Sequence, residues 1–434
     1  MRIAFLTLGC KVNYYETEKM IRDFLDRGFS VVDFEEEADV YVVNTCTVTN
    51  IADRKSRQML HRARKKAPHA LIVAVGCYVE SAGEAALEDA AIDLAFANKD
   101  KPRLAELLST QLEERLKSRQ VTETVTDTHT QRTRAFLKVQ DGCNQFCSYC
   151  LIPYVRGRGE LVSTPPEQVV HEAAERVAEG CREVVLNGIH LSSYGITEKR
   201  ADGFIRAQGK PLQELICRVG EIDGLLRIRL GSLEPRIITR EWLTGLKDCE
   251  KLCPHFHLSL QSGCDATLER MNRHYTTAEF AGKVALLREF YDDPAITTDV
   301  IVGFPGETDE EFAQTLAFLD DIGFADLHIF QYSMRDGTRA AAMKDQVSPA
   351  VKKERSEALL ARVEGWRENY RKKQEREILP ILFEEYETVG EERFLVGYNE
   401  RYVRYGMTEE IAKQRKIVPG MLSEVPAGEV RYIG

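Results

Sequence analysis

Three cysteines within one short run constrain this chain more than any other part of its sequence. They are Cys143, Cys147 and Cys150, in the pattern Cys-x-x-x-Cys-x-x-Cys. Three thiolates from one loop can hold three irons of a [4Fe-4S] cluster and leave the fourth iron without a protein ligand. Buried thiols or half of a zinc site are the alternatives, but zinc normally takes four ligands and no second pair of cysteines stands at a fitting distance. The spacing therefore favours an iron–sulfur cluster with one open iron.

The open iron indicates which cofactor would join the cluster. A small chelating ligand suits such a position, and the amino and carboxylate groups of S-adenosylmethionine (SAM) are the usual pair. Tyr149 places an aromatic residue directly before the last cysteine, and the pattern as a whole resembles the radical SAM enzymes. We therefore expect SAM as a second cofactor.

Composition limits the remaining possibilities. The chain has 434 residues, of which 29% are charged and 43% hydrophobic, as expected for an ordinary soluble protein of two to four domains. No apolar run approaches the roughly 18 residues of a membrane span. Eleven cysteines without an export signal predict a cytoplasmic protein in a reducing environment, with no membrane partner. A net charge of −10 argues against a surface that coats nucleic acid, although local basic patches remain possible.

The first hundred residues predict an N-terminal doubly wound parallel α/β domain, because short apolar runs alternate with helical segments. Predicted strands cover Ile3 to Leu8, Val40 to Val43, Leu71 to Val75 and Asp93 to Ala97. Three of these runs are followed closely by Cys10, Cys46 and Cys77. Since ligands bind beyond the carboxyl ends of parallel strands, these cysteines can meet and form a second three-cysteine cluster site.

A second α/β region follows a polar, threonine-rich stretch. Its six predicted strands are Phe136 to Val139, Val184 to Leu186, Leu226 to Leu230, Phe256 to Leu260, Thr297 to Val302 and Leu327 to Tyr332. Six βα units make a partial (βα)6 barrel, whose chemistry should lie at the carboxyl ends of its strands.

The last part of the chain changes to short alternating stretches, which predict a small C-terminal β-barrel or sheet. They cover Ile378 to Glu384, Phe394 to Tyr398 and Arg401 to Tyr405. The predicted domains are residues 1–118, a linker at 119–134, the barrel at 135–368 and the C-terminal domain at 369–434.

This combination of regions resembles the methylthiotransferases, radical SAM enzymes that attach a CH3S group to RNA or protein. The motifs that carry the resemblance are Leu8 to Glu18, Val43 to Val48, Asp141 to Gly157, Leu258 to Gly263 and Thr298 to Glu307. The C-terminal segment is similar to the family's RNA-binding TRAM domain. Gly-Cys-Lys-Val-Asn at 9–13 resembles the branch that acts on N6-threonylcarbamoyladenosine at position 37 of tRNA, whereas the isopentenyladenosine branch typically has Gln-Met-Asn after this cysteine.

The resemblance implies two [4Fe-4S] clusters and two SAM molecules per product, one as the methyl donor and one as the radical source. It further implies three partners: a tRNA anticodon stem-loop that contains the modified adenosine, an electron donor of flavodoxin or ferredoxin type, and a sulfur donor. Adenine C2 carries a C–H bond that no side-chain base removes at neutral pH, so radical chemistry is the plausible route.

The resemblance also implies which residues contact SAM. They are Tyr149 through its backbone, together with Asn187, Glu234, Gln261 and Val302. A strand-end carboxylate such as Glu234 suits ribose hydroxyls because it accepts two hydrogen bonds. The alternative for Glu234 is a salt bridge with Arg236 or Arg229.

RNA contacts are expected from basic residues near the cysteine loop and in the C-terminal domain. The candidates are Arg156, Arg158, Lys372, Lys373, Arg401 and Arg404. Arginine pairs with carboxylates and phosphates in a bidentate manner, and Tyr402 and Tyr405 offer rings on which bases can stack. A structural lid is the alternative role of this domain.

Other functions remain open from the sequence. Within the same chemistry, the substrate could be isopentenyladenosine 37 or an aspartate of a ribosomal protein. A non-catalytic iron–sulfur protein that binds RNA or transfers electrons is the alternative from another class. Purely electron-transferring clusters usually have four protein ligands, so two three-cysteine sets argue against it.

Overall fold

The computed structural model describes residues 1–109, 132–196, 209–374 and 377–433. It contains two parallel α/β regions followed by an antiparallel sheet, which confirms the predicted fold class. Of the predicted linker at 119–134, all but residues 132–134 lies outside the described residues.

The N-terminal region is a five-stranded parallel sheet in the order β2-β1-β3-β4-β5. Its strands are β1 (Arg2–Thr7), β2 (Ser30–Val32), β3 (Val40–Thr45), β4 (Leu71–Gly76) and β5 (Leu94–Phe96). Helices α1 (Lys11–Asp26), α2 (Asn50–Lys66) and α3 (Cys77–Ala82) follow strands β1, β3 and β4. Every residue of β3 and β4 is buried, because helices cover both faces of a doubly wound sheet. The short edge strand β2 was not predicted, and its three residues are too few to give a pattern.

The central region has six parallel strands, and a short antiparallel strand lies beside the first of them. The strands are β6 (Arg134–Asp141), β7 (Val162–Ser163), β8 (Glu183–Gly188), β9 (Arg227–Leu230), β10 (His255–His257), β11 (Ala295–Val302) and β12 (Asp326–Gln331). They form the orders β7-β6-β8-β9 and β10-β11-β12. Parallel bridges from Ile228 to Leu252 and from Leu233 to Leu258 join the two groups. The described strands thus form the predicted six-stranded partial barrel.

Helices alternate with these strands. They are α4 (Ile152–Val155), α5 (Pro166–Ala178), α6 (Lys210–Gly220), α7 (Arg240–Thr244), α8 (Asp265–Arg270), α9 (Thr277–Phe290), α10 (Asp309–Ile322) and α11 (Pro349–Lys373). Capping boxes fix the first turns of two of them, with Thr276 before α9 and Thr308 before α10. Alternate residues of β11, such as Thr298, Val300 and Val302, are buried. The intervening residues of β11 face the barrel interior, called the lumen below.

The C-terminal region is an antiparallel sheet in the order β16-β13-β14-β15-β17. Its elements are β13 (Ile378–Val389), β14 (Glu392–Tyr398), β15 (Arg404–Thr408), α12 (Glu409–Arg415), β16 (Leu422–Pro426) and β17 (Arg431–Tyr432). The predicted boundary between residues 368 and 369 falls inside helix α11.

Both terminal regions contact the barrel. Arg335, which follows β12, donates to Thr47 Oγ1 at 2.7 Å and pairs with Asp53 at 2.6 Å, while α1 packs against β6. The N-terminal region therefore touches both the first barrel strand and the segment after the last one. At the amino ends of the strands, Arg229 donates to the carbonyls of Asn399 and Glu400 at 2.8 and 2.9 Å. The loop 399–403 therefore forms the floor of the lumen.

Candidate active site

The cysteine loop lies at the carboxyl end of β6, where the fold predicts chemistry. Cys143, Cys147 and Cys150 are each partly exposed and unpaired by disulfides. Burial and the neighbouring Cys147 raise the pKa of Cys143 to about 12. The pKa of Cys150 is raised by burial and by both of the other thiols. The thiols of this loop therefore act on one another electrostatically.

Residues that follow helix α8 hold this loop in place. Arg273 Nη1 donates to Cys147 Sγ at 3.1 Å, and Asn272 Nδ2 donates to the Phe146 carbonyl at 3.1 Å. The Ser148 backbone is fixed from two sides, since its N–H donates to Met271 O at 3.0 Å and its carbonyl accepts from Ala340 N at 2.8 Å. Sequence reasoning missed Arg273, because nothing in its local sequence indicates that it lies beside a cysteine of another loop.

This donor set fits an iron–sulfur cluster. Cluster iron is bound by thiolates, yet burial and like-charge proximity oppose thiolates at Cys143 and Cys150. The positive charge of bound iron would offset that cost, because metal binding and thiol deprotonation are coupled. Arg273 adds a second positive charge beside Cys147, and its hydrogen bond suits a thiolate that carries iron.

The second set of cysteines meets at the carboxyl edge of the N-terminal sheet. Cys10 immediately precedes α1, Cys46 follows β3 and Cys77 begins α3. Burial raises the pKa of Cys46 to about 11, and both Cys77 and Cys10 contribute to the rise, so the three thiols are neighbours. Asn98 Nδ2 lies 3.5 Å from Cys77 Sγ. The same donor chemistry therefore fits a second cluster with three protein ligands.

Two glycines allow this convergence. Gly9 has a φ of +100°, and a Cβ there would lie 2.8 Å from Cys46 Sγ. Gly76 has a φ of +108°, and a Cβ there would lie 2.9 Å from Asn44 Oδ1. A side chain at either position would combine backbone strain with a collision. Each glycine directly precedes a cysteine of the second site, so the positive φ at the glycine helps to set where that cysteine lies.

A buried ionic network joins the two cysteine sites. Glu16 of helix α1 pairs with Lys101 at 2.5 Å, with Lys138 at 2.7 Å and with Arg156 at 2.8 Å. Arg156 also donates to Asn13 Oδ1 at 2.8 Å. Burial by itself raises the pKa of Glu16, but Lys101, Arg156 and Lys138 hold it well below its usual range. This network connects the helix that follows Cys10 to the barrel.

The residues predicted to contact SAM have different placements. Asn187 is buried at the end of β8, and its Nδ2 donates to Val185 O at 2.9 Å. Glu234 accepts from Arg236 Nε at 2.6 Å, which is the salt bridge considered as its alternative role. Gln261 has a φ of +75°, and the Val302 side chain is fully buried. Tyr149 packs edge-on against Phe304 with ring centroids 6.4 Å apart. All five therefore stand on the barrel, while their contacts with SAM remain predictions.

Some of the residues predicted to contact RNA are exposed in the structure, and others are buried. Arg158, Lys372 and Lys373 are exposed, as RNA contact requires. Arg156 is only 3% exposed, and its guanidinium serves the Glu16 network because a buried carboxylate needs cationic partners.

Two further arginines also have internal partners. Arg401 is buried and donates to the carbonyls of Asp293 and Asp292 at 3.0 and 2.6 Å. Arg404 pairs with Glu387. The predicted RNA contacts of Arg156 and Arg401 are therefore not supported by where these side chains lie, and the pairing of Arg404 gives no support to its own.

The lumen contains polar residues that the sequence analysis did not select. Asp299 lies 3.2 Å from His257 Nε2 and 3.1 Å from His328 Nδ1. The rings of His257 and His328 stack with centroids 5.7 Å apart. The hydrogen bond that Asp299 accepts from His328 raises the pKa of His328 despite its partial burial. Strand alternation on β11 could have revealed Asp299, because its neighbours Thr298 and Val300 face the core.

Comparison with known proteins agrees with this architecture. Residues 2–97 match the model of Uncharacterized protein family UPF0004 and residues 137–319 match that of the Radical SAM superfamily. The chain is 40% identical to the threonylcarbamoyladenosine tRNA methylthiotransferase MtaB of Bacillus subtilis (strain 168), covering 93% of this chain and 89% of that protein. It is 35% identical to the tRNA-2-methylthio-N(6)-dimethylallyladenosine synthase of Syntrophus aciditrophicus (strain SB), covering 83% of this chain and 78% of that protein.

Solved structures support the fold. The radical SAM methyltransferase TsrM from Kitasatospora setae superposes with a TM-score of 0.55 at 17% identity, covering 76% of this chain and 73% of that one. Among the described residues, no helix has both the length and the apolar character needed to cross a membrane. With family models over both α/β regions and a curated relative aligned along most of its length, the chain belongs to the MtaB-type tRNA methylthiotransferases of the radical SAM superfamily.

Proposed function

We propose that this enzyme converts N6-threonylcarbamoyladenosine at position 37 of tRNA to its 2-methylthio derivative, using two [4Fe-4S] clusters and two SAM molecules. The observation that carries the proposal is the 40% identity to the Bacillus subtilis MtaB protein over 93% of the chain. The two three-cysteine sites support it, because each provides three thiols and leaves one iron without a protein ligand.

Cys143, Cys147 and Cys150 would hold the cluster that binds SAM, and Cys10, Cys46 and Cys77 would hold the second one. When bound, the clusters and SAM supply the radical that removes the C2 hydrogen and the methylthio group that replaces it. The protein positions these groups: Arg273 orients Cys147 through its 3.1 Å hydrogen bond, and the Glu16 network fixes α1 against the barrel.

Adenosine 37 would enter the lumen from a single-stranded loop, where a base can leave its stack. Exposed Arg158, Lys372 and Lys373 are the basic candidates for contacts with the RNA backbone. Reduction of the clusters requires an electron donor of flavodoxin or ferredoxin type, and repeated turnover requires a sulfur donor. A cytoplasmic location would bring the enzyme together with tRNA and these partners.

Nucleoside mass spectrometry tests the proposal. We would analyse tRNA from a host that lacks this activity, with the intact gene, without it, and with the Cys147→Ala variant. We expect 2-methylthio-N6-threonylcarbamoyladenosine only with the intact gene. A methylthio group on isopentenyladenosine instead, or on a ribosomal protein, would show that the chemistry is correct and the substrate assignment is wrong.

A further inference from the structure

Lys11 stands out among the cations around the lumen. It is the first residue of α1 and directly follows Cys10. Its ammonium lies 6.0 Å from the ring centroid of Phe136 and 6.0 Å from that of Tyr402. These rings belong to a barrel strand and to the loop that forms the floor, so the side chain extends from the second cysteine site into the lumen.

Two arginines near Lys11 are fully engaged. Arg134 pairs with Glu183 at 2.6 Å and with Glu384 at 2.5 Å, and it donates to the Tyr402 hydroxyl at 3.1 Å. Arg229 pairs with the same oxygen of Glu183 at 2.8 Å and gives its other donors to backbone carbonyls. Two carboxylates therefore face two arginines, and neither guanidinium has a free nitrogen for a ligand.

Lys11, in contrast, has no hydrogen bond or ion pair with any residue in the described parts of the chain. The Lys11 side chain is exposed, so its ammonium is open to an anion that enters the lumen. Arg134 and Arg229 act on Lys11 electrostatically and add to the positive charge around it.

Two other polar atoms in this neighbourhood are also unpaired. Glu183 Oε2 and His255 Nδ1 are buried and have no hydrogen-bond partner in the described residues. Glu183 and Lys11 affect each other electrostatically, as do His255 and Lys11. An apolar substituent placed here would leave the two buried atoms unpaired and the Lys11 ammonium without an anion, whereas a group with a carboxylate and a hydroxyl could pair with them.

We propose that Lys11 binds the carboxylate of the threonylcarbamoyl group and so selects this nucleoside over adenosines with an uncharged N6 substituent. This inference rests on the proposed function. In adenine, C2 and the carbon that bears N6 both adjoin N1. A base whose C2 faces the Cys10 site therefore directs its N6 substituent to a neighbouring position, and Lys11 is the residue next to Cys10. A charge-assisted contact between ammonium and carboxylate suits this reading.

The test compares two substrates on each of three proteins. The substrates are an anticodon stem-loop RNA with N6-threonylcarbamoyladenosine and the same RNA with its carboxylate as a methyl ester. The proteins are the intact enzyme, Lys11→Gln and the control Lys19→Gln. Lys19 lies on the same helix, but its side chain is 47% exposed and pairs with Glu172 at 2.9 Å.

We expect the intact enzyme and Lys19→Gln to prefer the acid over the ester by about 10- to 100-fold in kcat/KM, as for a hydrogen bond between charged groups. Lys11→Gln should lose that preference and process both RNAs at the rate of the intact enzyme on the ester. This comparison forms a double-mutant cycle between Lys11 and the carboxylate. The acid-to-ester ratio is taken within each protein, so a change in cluster content of the variant cancels.

If Lys11→Gln proves inactive, the same ratio is measured from the binding of the two RNAs. A variant that discriminates acid from ester as well as the intact enzyme does would overturn the role of Lys11. Failure of the proposed function has a different signature: the intact enzyme would leave the threonylcarbamoyl RNA unmodified while methylthiolating another substrate, and the inference would fall with it.

Discussion

The two three-cysteine sites reach the same donor set by opposite routes. One takes all its cysteines from a single loop between Cys143 and Cys150, which residues 270–273 and 340 hold in place. The other takes one cysteine from each of three strand ends, at Cys10, Cys46 and Cys77. A loop site depends on local geometry, whereas the strand-end site exists only when the parallel sheet is correctly formed. We therefore expect the two sites to respond differently to the same kind of damage.

Removing one ligand from each site should separate their roles most strongly. Cys147→Ala should abolish both SAM cleavage and methylthio product. Cys46→Ala should abolish the product while 5′-deoxyadenosine still forms, and each variant should keep about half of the iron. Iron analysis and chromatography of the SAM products measure these effects. Loss of SAM cleavage in Cys46→Ala would show that the two sites are not independent.

The next largest effect should come from disrupting the Glu16 network, because this network connects the two sites. Glu16→Gln leaves Lys101, Lys138 and Arg156 without their shared carboxylate, and loss of one partner from a buried ion pair costs about 3–5 kcal/mol. Glu179→Gln is the control: Glu179 pairs with Arg22 between the same regions, but both side chains are more than two-fifths exposed, so about 0–1 kcal/mol is expected. Urea unfolding measures the free energy of unfolding of both variants. Equal losses of this free energy would contradict the importance of the buried network.

The same network predicts a dependence of stability on pH. The pKa of Glu16 is lowered in the folded protein, so its contribution is complete above the ordinary pKa of a glutamate and disappears as the pH falls toward the lowered value. Unfolding of the intact enzyme and of Glu16→Gln between neutral and acidic pH should therefore converge on the acidic side. If the difference in free energy of unfolding between the two proteins stays constant with pH, this explanation is excluded.

A smaller effect should come from replacing Gly9, the glycine that precedes Cys10. Gly9→Ala should cost roughly 1–2 kcal/mol of backbone strain, and its Cβ would also collide with Cys46 Sγ. Gly28→Ala is matched to it, since Gly28 has a φ of +80° but no atom within 4 Å of the added Cβ. We expect only Gly9→Ala to lose iron from the strand-end site. Similar iron contents in the two variants would show that the cysteines tolerate the collision.

The smallest effect concerns the loop site. Arg273→Lys keeps the positive charge but not the guanidinium geometry that donates to Cys147 Sγ, Ser259 O and the Tyr275 hydroxyl. Because lysine keeps the charge and loses only this geometry, we expect a modest shift in the reduction potential of the cluster and slower SAM cleavage. Redox titration followed by electron paramagnetic resonance measures the shift. An unchanged potential would assign Arg273 to loop folding alone.

Sequence reasoning placed residues correctly where the signal was local or periodic. Cys143, Cys147 and Cys150 lie in one loop after a barrel strand, and Cys10, Cys46 and Cys77 lie at three strand ends, as expected, while their role as cluster ligands stays a prediction. The parallel strands were found because buried strands are continuous apolar runs.

Sequence reasoning did not reveal contacts between distant segments. Arg156 looked like a surface arginine, but Glu16, far away in the sequence, draws it into a buried pair. Likewise, Arg401 was selected for its charge, although its donors satisfy the carbonyls of residues 292 and 293. A charged residue reveals its role only through the partner that the fold supplies, and a single sequence does not identify that partner.

The loop 399–403 also has a consequence for how the chain is made. During synthesis this loop follows all of the barrel strands that it closes. Until it emerges, Arg229 lacks the carbonyls of Asn399 and Glu400, and Arg134 lacks the hydroxyl of Tyr402. Domains usually fold in order from the amino end, but this barrel cannot acquire its complete floor until residues 399–403 have been synthesised. We therefore expect nascent chains that stop before residue 399 to be cut by protease within the barrel, and full-length chains to resist.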